Sequence, residues 1–174
     1  VRMDGTGTIK ATGDIPGATG SDLRYSQSEW TVETWVRVSA LPSVAAAGDV
    51  ILAQYEVTAN GRENYAIGIR QTGDLPFAAY IPHPDTGSST EVTVKDDQSI
   101  ALGEWTHIAA TFGSNALILY VDGTVVAAAH DLDPCATGPG DFTMGTKLVG
   151  DMDEMRVWNY ARSADEIRDA VDTF

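Results

Sequence analysis

The segment WTVETWVRV, Trp30–Val38, alternates with a period of two. On an extended chain Trp30, Val32, Thr34, Val36 and Val38 share one face, and Thr31, Glu33, Trp35 and Arg37 share the other. That is a strand with an apolar side for a core and a polar, aromatic side opposite. The same period extends outward in both directions. NYAIGIR (64–70), FAAYI (77–81) and EVTV (91–94) read as further short strands. WTHIAATF (105–112) puts Ile108, Ala110 and Phe112 on one side and Trp105, His107 and Ala109 on the other. ALILYVDGTVVAAAH (116–130) is two apolar runs around Asp122-Gly123, a dipeptide suited to the positive φ values of a type I′ hairpin turn.

Turn-rich clusters separate these runs: GDIPGATGSD (13–22), TANGRE (58–63), QTGD (71–74), IPHPDTGSS (81–89) and DPCATGPGD (133–141). Their spacing predicts an all-β fold, a two-sheet antiparallel sandwich occupying residues 1–174 as one domain. One segment reads as helical, SADEIRDAVDTF (163–174). Ser163 stands at the cap, Glu166 at the capping-box position, and Ile167 and Val171 lie four apart. ALPSVAAAGD (40–49) is compatible with a helical turn or a loop.

The charge balance narrows the function. The chain of 174 residues has 25 acids and 11 bases, a net charge of −14, and Lys10, Lys95 and Lys147 are its lysines. Such a surface repels nucleic-acid phosphates and anionic membranes, and it suits cations and neutral ligands such as sugars. No apolar run approaches the ~18 residues of a membrane span, so no membrane insertion is expected. The start VRMDGTGTIK lacks the apolar core of a signal peptide, and a chain beginning at Val1 reads as part of a longer one. Cys135 is the single cysteine, so it forms no internal disulfide and reads as a bystander in its loop.

Three segments in order, WTVETWVRV, GEWTHIAATFGSNALILYVDGTVVA and GDMDEMRVWNYARSADEI, resemble the laminin-G-like jelly roll of the concanavalin A-like lectin/glucanase superfamily. The opening VRMDGTGTIKA is similar to that family's first strand. The resemblance spans nearly the whole chain and implies a jelly-roll sandwich with a short C-terminal helix. In this arrangement Val149–Trp158 is a central strand, with Met155 and Val157 toward the core and Glu154, Arg156 and Trp158 on the opposite, concave face. Asp153 then stands at the strand start, where such folds often bind a structural calcium. Asp4 on the first strand could complete the shell of ~6–8 oxygens, with Asp151 as a competing carboxylate. The alternative for Asp153 is a hydrogen bond to a turn.

Two further constellations are candidates for ligand binding. One is the polar second face, formed by Trp35, Arg37, His107, Arg156 and Trp158 with Glu33 and Glu154. Indoles stack on sugar rings and charged groups bind hydroxyls, so this face could be a glycan groove. It could equally be a structural network of cross-strand Glu–Arg pairs. The other is the loops QYEVTANGRENY and FAAYIPHPDTGSST, which offer Tyr65, Tyr80 and His83 on what read as exposed turns. A catalytic reading finds little. The Glu-x-Asp-x-x-Glu string of the related glucanases is missing, as are a G-x-S-x-G elbow and a P-loop. The expectation is therefore a non-catalytic recognition module of a larger secreted or cell-surface protein. Carbohydrate is its expected ligand and a structural calcium its expected metal, with an adhesive or spacer module binding extracellular protein partners as the alternative.

Overall fold

A computed structural model describes residues 1–12, 29–41, 48–57, 62–80, 91–133 and 140–172. Its strands are β1 (Arg2–Asp4), β2 (Ile9–Thr12), β3 (Trp30–Ala40), β4 (Val50–Val57), β5 (Arg62–Ile69), β6 (Pro76–Tyr80), β7 (Val92–Lys95), β8 (Trp105–Gly113), β9 (Ala116–Val121), β10 (Thr124–Ala129), β11 (Gly140–Thr146) and β12 (Val149–Trp158). One helix, α1 (Ala164–Asp172), follows. The strands form two antiparallel six-stranded sheets, β1-β12-β3-β8-β9-β10 and β2-β11-β4-β5-β6-β7, consistent with a jelly-roll sandwich.

The period-two reading of β3 holds. Trp30, Val32, Val36 and Val38 are buried between the sheets, with Ile108, Ala110 and Phe112 of β8 beside them. Trp30 is 1% exposed and stacks on Tyr65 from the second sheet, with ring centroids 4.6 Å apart. Burying its area and that of its aromatic neighbours supplies much of the adhesion between the sheets. Met155 and Val157 pack against this core as expected.

The Asp122-Gly123 turn joins β9 to β10, with φ of 47° and 73° and Val121 opposite Thr124. Both central residues have the positive φ that a type I′ turn demands. Gly150 of β12 is needed for another reason: a Cβ there would sit 2.1 Å from the Arg37 carbonyl oxygen on β3. The helix begins as predicted. The Glu166 N–H donates to Ser163 Oγ at 3.3 Å, and the Ser163 N–H donates to the Glu166 carboxylate at 2.8 Å, a capping box. Of the segment 40–49, compatible with a helical turn or a loop, residues 42–47 lie outside the described residues, as does Cys135.

Candidate functional site

The register places the predicted polar residues of the first sheet in rows across its outer face. Arg37 lies between Asp151 and Trp105, Trp35 between Asp153 and His107, and Glu33 between Arg156 and Ala109. Thr31 separates Trp158 from Thr111. A bulge between Asp153 and Arg156 inserts one residue into β12, with Glu154 at φ 50°. Without that extra residue, Asp153 and Arg156, three apart in sequence, would point to opposite faces.

The centre of this face is closed rather than open. Glu33 has no solvent-exposed side-chain surface. Both of its oxygens accept from Arg162 Nη1 at 2.7 Å, Arg156 Nη1 lies 3.5 Å from Oε1, and His107 Nε2 is 3.9 Å from Oε2. Arg162 stands in the short connection between β12 and α1. Its backbone N–H donates to Thr31 Oγ1, Nη2 donates to the Glu166 carbonyl at 2.6 Å, and its guanidinium lies 4.9 Å from the centre of the Trp158 ring. Helix α1 covers the neighbouring part of the face, with Ile167 packed on Ala109 and Tyr120. Burial lowers the His107 pKa to about 4, helped by the positive charges of Arg156 and Arg162, so the ring is neutral at pH 7. A buried carboxylate held in this way is a structural anchor, because paired guanidinium groups offset the cost of its desolvation.

The remaining candidates fall in different places. Trp35 is 8% exposed and its ring meets that of His107. Arg37 is nearer the surface, ion-paired with Asp151 at 2.8 Å and set over the Trp105 ring. Arg156 is partly exposed and also pairs with Glu154, and Trp158 is half-buried. Tyr65 and Tyr80 require correction as residues of exposed turns. Both lie within strands, 1% and 0% exposed, with their rings in the sandwich core. Tyr80 packs on Phe112 and donates its hydroxyl to the Asp133 carbonyl. A ligand cannot reach either ring. His83 lies outside the described residues.

The two carboxylates named for calcium are not brought together. Asp4 pairs with Val149, four residues before Asp153 along β12, which is about 13 Å at ~3.3 Å per residue. The Asp4 carboxylate takes the Thr6 N–H and hydroxyl, which hold its pKa below the usual range, and Asp151 is held low chiefly by Arg37. Asp153 Oδ1 accepts from the Glu154 N–H in the bulge. Among the described residues no group of three or more His, Cys, Asp or Glu side chains converges on one point. An ion on Asp153 would have to draw its other oxygens from elsewhere than Asp4.

Sequence reasoning missed two features. Arg162 was visible as the basic residue just before the Ser163 cap, but its partner is 129 positions away. The other is a cleft of ≈ 160 Å³ at the end of the sandwich, where the segment between β7 and β8 crosses from one sheet to the other. Asp96, Gln98, Glu104, Trp105, Thr106 and Asp122 help to line it. The polar run KDDQS (95–99) was its sequence signal, and its meeting with Asp122 depends on the hairpin.

With this geometry in view, comparison with known proteins is direct. The Laminin_G_3 model, of the concanavalin A-like lectin/glucanases superfamily, matches residues 11–168. The chain belongs to the Laminin_G_3 family. This Laminin_G_3 domain is 23% identical to mouse (Mus musculus) pappalysin-1 over 166 residues, which cover 88% of the domain and 10% of that protein. It thus spans about a tenth of the relative's length. Among solved structures it is similar to domain 4 of AbnA, an extracellular GH43 arabinanase of Geobacillus stearothermophilus, in complex with arabinotriose. That match has a TM-score of 0.61 and 18% identity over 83% of this chain and 66% of the other. The native heptameric SAP-like pentraxin of Limulus polyphemus gives a TM-score of 0.61 and 12% identity over 82% and 69% of the two chains. These structural likenesses establish the fold.

Proposed function

We propose that this Laminin_G_3 domain is a non-catalytic recognition module of a larger extracellular protein and that its ligand is carbohydrate. One observation carries the non-catalytic part. Glu33, the carboxylate at the centre of the polar face, is fully buried and gripped by Arg162 on both oxygens. Acid–base or nucleophilic hydrolysis of a glycoside needs two carboxyls that reach the substrate, ~5–9.5 Å apart. Glu33 reaches none. The surface keeps what recognition uses, namely exposed acceptors, partly exposed Arg37 and Arg156, and the half-buried indoles of Trp105 and Trp158. The arabinotriose held by domain 4 of AbnA supports carbohydrate as the class, and pappalysin-1 and the extracellular arabinanase support the setting. The test is an array of immobilised glycans read beside a reducing-sugar assay on the glycans that bind. Retention without hydrolysis is expected, and release of reducing ends would overturn the non-catalytic reading.

A structural Ca²⁺ at Asp153, completed by backbone carbonyls and water, is a separate part of the proposal. Binding to the folded state alone would add ~2.7 kcal/mol at a hundredfold excess over Kd. EDTA should then lower the melting temperature by several degrees and Ca²⁺ restore it, and Asp153→Ala should remove the response. A melting curve indifferent to EDTA removes calcium from the account.

A further inference from the structure

The cleft at the end of the sandwich differs from the closed face in having acceptors to spare. Asp96 is 5% exposed, yet only one of its oxygens is used, accepting the Gln98 N–H at 3.0 Å. The other has no partner among the described residues. The Thr106 hydroxyl, on a residue 7% exposed, has none there either. Around them stand the exposed side chains of Gln98 and Glu104, the half-buried Trp105, and Asp122, whose Oδ1 takes the His107 N–H. None of the residues lining the cleft is cationic, and Arg37, which lies over the Trp105 ring, is committed to Asp151. Neither atom is among the sealed, unpartnered polar atoms of the described residues, so both open onto the cleft, where water holds them until a donor-bearing ligand displaces it.

We propose that this cleft is the carbohydrate site, and that it admits uncharged or cationic sugar residues while excluding uronic and sulfated ones. The proposal rests on the carbohydrate reading above. Its volume of ≈ 160 Å³ is roughly five water volumes at ~30 Å³ each, room for one sugar ring. Sugar hydroxyls supply the donors that Asp96 and Gln98 lack, and Thr106 can both give and accept a hydrogen bond. Trp105 offers an apolar wall for the ring's C–H surface. Asp96, Glu104 and Asp122 together set a negative field that an anionic sugar meets without compensation, so the exclusion is electrostatic.

The experiment is calorimetric titration of the domain with arabinotriose, cellotriose, a glucosamine trimer and trigalacturonate. Binding of at least one of the first three is expected, with trigalacturonate at least thirtyfold weaker. Gln98→Ala and Glu104→Ala change exposed side chains, and each should weaken binding at least tenfold with an unchanged melting curve. Asp165→Ala, at an exposed position of α1 away from the cleft lining, should leave affinity intact. If the cleft variants bind like the parent, the site is elsewhere and the carbohydrate reading stands without it. If trigalacturonate binds as well as the others, the charge rule is wrong. If none of the four binds, the site and the carbohydrate reading fall together.

Discussion

The outer face around Glu33 and the cleft around Asp96 are both built from buried carboxylates on a β-sandwich, and they have opposite fates. Glu33 meets Arg162 and Arg156, and its face is closed by the C-terminal segment. Asp96 meets one backbone N–H and faces a cleft with no cation in its lining. The difference teaches that residue type and burial do not by themselves mark a binding site. What marks it is whether neighbouring groups have already satisfied the polar atoms.

The largest test of this contrast removes the cation from the closed face. Arg162→Ala leaves Glu33 buried beside a more distant Arg156, and losing one partner of a buried pair costs ~3–5 kcal/mol. Urea denaturation should show that loss, and a change below ~1 kcal/mol would mean that water reaches Glu33 and the face is not closed. Next is acidity. The folded His107 pKa of about 4 lies below its unfolded value of 6.5, so the unfolded chain binds more protons between them. The stability tied to neutral His107 is complete above pH 6.5 and falls as pH drops to about 4, by on the order of 3 kcal/mol at most. His107→Gln should flatten that part of the stability–pH curve relative to the parent, and parallel curves would place His107 in contact with solvent. A smaller effect comes from the helix that closes the face. Ser163→Ala removes the capping box and should cost ~1 kcal/mol, read as a lower melting temperature. Smallest is the cleft, where Gln98→Ala should alter stability by less than ~0.5 kcal/mol, since this exposed side chain supports no part of the core. A larger loss there would make the cleft a structural element like the other face.

Much of the fold could be read locally. Alternation in Trp30–Val38 assigned core and outer faces correctly, Asp122-Gly123 announced its hairpin, and Ser163 with Glu166 announced the helix start. These signals act within a few residues of chain, where backbone geometry alone decides. The outer-face residues could be grouped by parity, but not judged open or closed, because Arg162 pairs with Glu33 from 129 positions away in sequence. Tyr65 and Tyr80 misled for a related reason. They border turn-rich segments, yet in β5 and β6 their parity directs them inward, and a tyrosine at a strand end looks the same from sequence whichever way it points. The cleft required three segments to converge and left only a polar run as its trace.

The pairing of Glu33 with Arg162 also has a consequence in time. During synthesis at ~5–20 residues per second, roughly 6 to 26 seconds separate the emergence of the carboxylate from that of its guanidinium, 129 positions later. Over that interval β3 has neither its β12 neighbour nor its counter-charge, and a bare carboxylate keeps its hydration. The strand at the centre of the sheet therefore carries its own gatekeeper while nascent: Glu33, with Arg37 beyond it, holds water on one side of a segment whose other side is apolar, until the last strand arrives to displace it.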